Sequence, residues 1–156
     1  MSTPPKPYSE AYLSEVVEMQ GKFFERLQDE PTPIDSADMI TAYLNSDTRR
    51  QLDEGHAYYL TLSADDLKRV FLEESHYEPK PGKPLRGFLP NWIGQFYAYA
   101  QWKLGVSSRE LVRRIPVKAL GVAYPGLHDL PLPLAVDKMT NTLPDPSLRK
   151  GIRGSS

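Results

Sequence analysis

The residues able to do chemistry in this sequence are few and scattered. Three histidines stand at 56, 76 and 128, and no two have the spacing that would set both imidazoles on one helical face for a metal. The best acid–base pair is His128-Asp129, an imidazole beside a carboxylate after the Pro125-Gly126 turn, where proton transfer could be tuned. The plainer expectation is structural: His128 packs on the turn and Asp129 caps the last helix. His56, just past Gly55, reads as a helix-end residue.

Adjacent carboxylates at Asp53-Glu54, Asp65-Asp66 and Glu73-Glu74 would point about 100° apart on a helix, which is poor for chelation. Cysteine is absent, which excludes disulfides, thiolate zinc sites, iron–sulfur clusters and thiol nucleophiles. The chain has no H-E-x-x-H, G-x-S-x-G, G-x-x-x-x-G-K-[ST] or G-x-G-x-x-G. Pro81-Gly82-Lys83-Pro84 sets a glycine beside a lysine, but its prolines remove donors that a phosphate cradle needs. These residues call for no cofactor and no metal.

Basic side chains make a second pattern. Residues 80–118 carry Lys or Arg at 80, 83, 86, 103, 109, 113, 114 and 118 against the single acid Glu110. Within that stretch, helix, Leu104-Gly105-Val106 turn and second helix resemble a helix-turn-helix over 96–118. On that reading Ser107, Ser108 and Arg109 face bases while Arg113, Arg114 and Lys118 serve phosphates. Two features oppose it: Gln101 stands where a small residue belongs, and the second helix has about two turns before Pro116. The aromatic row between Trp92 and Trp102 could stack unpaired bases, but it surrounds its helix and so reads as core.

The elements that must position these groups follow from proline clusters and apolar period. The 156 residues include 15 prolines, which lack a donor and interrupt helices. Tyr12, Val16, Met19, Phe23 and Leu27 recur at helical steps, widened by Leu13, Val17 and Phe24, so a helix is predicted over 9–28. Asp35, Ser46, Ser63 and Ser107 are placed to cap four more. Residues 91–104 are apolar almost all round, which predicts a central buried helix ended by Gly105. Pro116 opens a helix to Val122, Tyr124-Pro-Gly is a turn, and residues 132–139 form the last helix. Tyr58 to Leu62 alternates like a strand but has no partner for a sheet.

The expected fold is therefore all-α: about six to eight short helices around the central helix 91–104. Residues 9–142 form one domain with an internal loop at 78–90, between a flexible amino end (1–8) and a flexible tail (143–156). At roughly 150 residues a chain can bury about two-thirds of its unfolded surface. No apolar leader or membrane-length segment is visible, so the cytoplasm is the default location.

Charge is sorted along the chain. Residues 1–78 hold 7 Lys+Arg and 16 Asp+Glu, whereas residues 79–156 hold 12 and 4. With opposed halves and a thin catalytic inventory, the leading expectation is a protein-interaction module of the antitoxin, immunity or adaptor kind, docking another protein. The alternative is a nucleic-acid partner for the basic half, and the third an enzyme around His128 and Asp129.

Overall fold

The structure, a computed structural model, describes residues 6–142; the expectations for 1–5 and for 143–156 lie outside the described residues. The described chain is all-α, with nine helices and no strand. In order these are α1 (Leu13–Arg26), α2 (Ser36–Leu44), α3 (Asp47–Asp53), α4 (Ala57–Leu60), α5 (Ala64–Ser75), α6 (Leu89–Leu104), α7 (Ser108–Arg114), α8 (Val117–Leu127) and α9 (Leu132–Asn141). Single 3₁₀ turns flank α1 at Glu10–Tyr12 and Leu27–Asp29. One isolated bridge, Ile34 to Pro81, pins the loop before α6 to the start of α2. No helix among the described residues is long and apolar enough to cross a membrane.

Local chemistry sets most helix starts. Asp35 accepts from the Asp38 amide at 3.0 Å, Ser46 from Arg49 at 3.2 Å, Ser63 from Asp66 at 3.1 Å, and Ser107 from Glu110 at 3.1 Å. Each cap satisfies an otherwise orphaned amide and contributes about 1 kcal/mol. Gly105 ends α6 at φ 68°, as the left-handed C-cap position requires.

The central element is α6, which packs along α1 and also touches α7, α8 and α9. Trp92, Ile93, Phe96, Tyr97, Ala98, Ala100, Trp102 and Leu104 are all buried. α1 and α6 run antiparallel: Glu25 lies opposite Asn91, and Gln20 opposite Gly94. A Cβ on Gly94 would stand 2.6 Å from the Gln20 carbonyl oxygen and 2.8 Å from the Gly21 Cα. Glycine at 21 and 94 lets the two backbones meet. At this crossing Gln20, fully buried, donates from Nε2 to the Gly94 carbonyl at 3.0 Å and accepts at Oε1 from the Tyr43 hydroxyl at 3.1 Å. Phe23, Phe24, Tyr43 and Phe71 continue this core edge to face.

Several readings of the sequence are corrected. Tyr58 to Leu62 enters the short helix α4, because with no strand to pair with, its amides find acceptors locally: Tyr59 and Leu60 both donate to the His56 carbonyl. His56 is thus a helix-end residue, but at the start of α4. Tyr124-Pro-Gly is not a turn; it lies within α8. Pro125 removes only one late rung of the helix. The ring of Tyr124, held 5.5 Å from Trp92, outweighs proline's effect on the preceding residue. Asp129 does not cap α9, whose N-cap is Pro131. Tyr12 is 48% exposed, because the chain before Leu13 turns as 3₁₀ helix and leaves the stripe. Lys6 and Tyr8, assigned to a flexible end, lie on α6: the Trp102 indole donates to the Tyr8 carbonyl at 2.9 Å and the Lys6 ammonium to the Lys103 carbonyl at 2.9 Å.

Candidate functional site

The antiparallel packing of α1 on α6, with the start of α9 beside them, leaves an open groove of about 600 Å³. Its apolar surface comes from Leu13 and Val17 of α1, Tyr99 of α6, and Leu132 and Pro133 of α9. Phe88, just before α6, stands at one end and is 51% exposed. The rim is mainly acidic, with Glu10, Glu18 and Glu25 against Lys22. Glu18 and Lys22 pair at 2.9 Å, one helical turn apart. The Glu25 carboxylate accepts from Asn91 Nδ2 at 2.9 Å. At the other end Tyr99 is held above the ordinary phenol range, chiefly by burial and then by the negative fields of Asp137 and Glu10. From Leu13 to Glu25 the α1 wall is about 18 Å long at 1.5 Å per residue.

Of the residues singled out at α7, Ser108 is buried, Arg114 is partly buried, and Ser107, Arg109 and Arg113 are exposed. Ser108 is 1% exposed, and its amide and hydroxyl donate to the Asp53 carboxylate at 2.9 and 2.6 Å. Ser107 is occupied as the cap of α7. Arg109 donates to the Asn45 carbonyl at 2.6 Å. Ser108 is therefore tied to α3 through Asp53, while Ser107 and Arg109 remain exposed. Arg113 and Arg114 both clamp Glu110, whose carboxyl they hold down to about 2. Lys118 is exposed on α8, away from that clamp.

Asp53 explains why Ser108 is held. One carboxylate takes both Ser108 donors and lies 3.4 Å from the fully buried Arg49 guanidinium. A buried cation needs a partner, and removing that carboxylate would leave it uncompensated. Arg49 was missed because an arginine beside Arg50 on a short polar helix reads as surface. Its one signal was the i, i+4 spacing to Asp53.

His128 and Asp129 do come together, with Nε2 to Oδ1 at 3.1 Å. The imidazole stacks on Tyr124 at 4.5 Å, and Nδ1 lies 2.8 Å from that residue's carbonyl oxygen. Asp129 is 85% exposed, and neither residue lines the groove. His128 therefore does what a helix-end imidazole does, satisfying a terminal carbonyl. Among the described residues no three of His, Asp and Glu gather into a metal-ligand set.

Among the described residues, most of the ion pairs close within one half of the chain. Lys80 reaches Asp38 at 3.5 Å across the boundary. Lys22–Glu18, Arg26–Asp65, Arg50–Asp47 and Arg50–Glu54 all close within the acidic half. No protein-family model matches this sequence, no curated protein is significantly similar to it, and no solved structure matches its fold.

Proposed function

We propose that this chain is a protein-interaction module whose recognition surface is the α1–α6–α9 groove. Its partner presents a segment with apolar side chains flanked by lysine or arginine. The observation that carries this reading is the pairing of an apolar lining with three glutamates and one lysine on its rim. The lining supplies the burial that drives association. The excess negative charge selects a basic segment and speeds its encounter. Antitoxins, immunity proteins and adaptors work by this kind of charge-steered docking, and this chain's role is of that type.

The test uses two fluorescent amphipathic peptides of equal length, one built from leucine and lysine and the other from leucine and glutamate. Anisotropy should report binding of the lysine peptide, weakening as salt rises. Phe88→Asp and Glu10→Lys should each weaken it by roughly tenfold or more. Equal binding of both peptides, or binding indifferent to Phe88→Asp, would overturn the proposal. Phe88 is half exposed and its loss spares the core, so that variant reads the groove rather than the fold.

A further inference from the structure

The strongest unclaimed surface lies along α8, whose residues do not line the α1–α6–α9 groove. Val117 and Leu120 turn inward and are buried. The outward face of α8 runs Lys118, Val122, Pro125, in steps of four and three, and Asp129 follows four positions on, in the turn just past the end of the helix. All four are exposed, and Val122, at 76%, is the most exposed large hydrophobic residue among those described. Gly121 and Gly126 flank the line on either side. A Cβ at either would have nothing within 4 Å, and neither has a positive φ. Neither internal packing nor backbone geometry therefore accounts for these glycines. Between Lys118 and His128 the helix carries no charge. Beside the line a shallow apolar groove of about 390 Å³ opens between Val122, Gly126, Leu127 and Met139.

We infer that this face is a seam at which two copies of the chain associate, with their α8 helices antiparallel about a two-fold axis. The occupant is chosen by self-complementarity, which an isologous contact requires. The line is positive at one end, apolar in the middle and negative at the other. When a second copy is laid antiparallel, Lys118 meets the partner's Asp129 and Val122 meets the partner's Pro125. One register satisfies both pairings. Lys118 stands at the start of α8 and Asp129 just past its end, so both cross-pairs form at once. The small flanking residues let the helices approach closely.

The experiment measures the mass of the purified full chain by light scattering and sedimentation equilibrium, up to about 1 mM, where even weak association registers. A dimer is expected. Lys118→Asp and Asp129→Lys place like charges across the seam, and each alone should weaken dimerisation by roughly tenfold or more. Mixing the two single variants should restore a dimer. The carboxylate introduced in one copy then faces the ammonium introduced in the other, and the second cross-pair is the native one. A chain carrying both substitutions should also dimerise. A monomeric wild type, single variants that dimerise like wild type, or a mixture that stays monomeric would each overturn the inference. Phe88→Asp should leave the dimer intact, which separates failure here from failure of the groove reading.

Discussion

Two helix faces in this molecule carry paired glycines, and they have opposite surroundings. At the α1–α6 crossing an added methyl on Gly94 would collide with the backbone at Gln20 and Gly21, and one on Gly21 with the Asn91 side chain. On α8, Gly121 and Gly126 face open space. The first pair shows what a helical glycine contributes in this fold: it gives up some helix stability so that two backbones can touch. The second pair carries the same cost with no partner among the described residues. That contrast makes the α8 face worth testing as an interface.

The contrast can be tested by substitution, beginning with the residue that joins the two regions. Trp92 sits on α6 and touches Phe96 and, across the helix pair, Tyr124 on the inner side of α8. Trp92→Ala should cost about 3–5 kcal/mol in urea unfolding, and an unmoved midpoint would mean that α8 is not anchored there. Gly94→Ala should follow, at about 1–3 kcal/mol, because its methyl must push against the Gln20 carbonyl. A neutral result would show that α1 and α6 can separate without loss. Smallest is Gly121→Ala, which should raise the stability of the dilute chain by about 0.5–1 kcal/mol. If it lowered stability instead, the space outside α8 would not be open, and the contrast would collapse.

How much of this could be read from residues alone depends on how far apart the cooperating groups lie. The caps at Asp35, Ser46, Ser63 and Ser107 and the stop at Gly105 were legible because each interaction closes within a few positions. The buried character of α6 was legible because it is apolar on every side. Trp92's ring contacts with Phe96 and Tyr124 were not. The crossing glycines were invisible for a different reason. A glycine within an amphipathic pattern reads as a weak point until its partner, distant in the chain, is known. The groove was equally hidden, since Val17, Phe88 and Leu132 come from three distant segments. The pairing of Ser108 with Asp53 spans 55 residues, which no local pattern reveals. Pro125 misled because its local rule is sound and was outweighed by Tyr124's packing.

The long separation between the two halves of the main crossing also bears on how the chain is made. Gln20 and the Gly94 carbonyl are 74 residues apart. At about 5–20 residues per second of synthesis, α1 waits roughly 4 to 16 seconds before α6 is complete. During that interval the surface of α1 that will meet α6 has no native cover, although α5 can already reach another side of it. Closing so long a loop is slow compared with pairing neighbouring helices. A helix made early is thus among the last to be fully enclosed, and translation speed between residues 27 and 104 sets how long its apolar side stays open to misassociation.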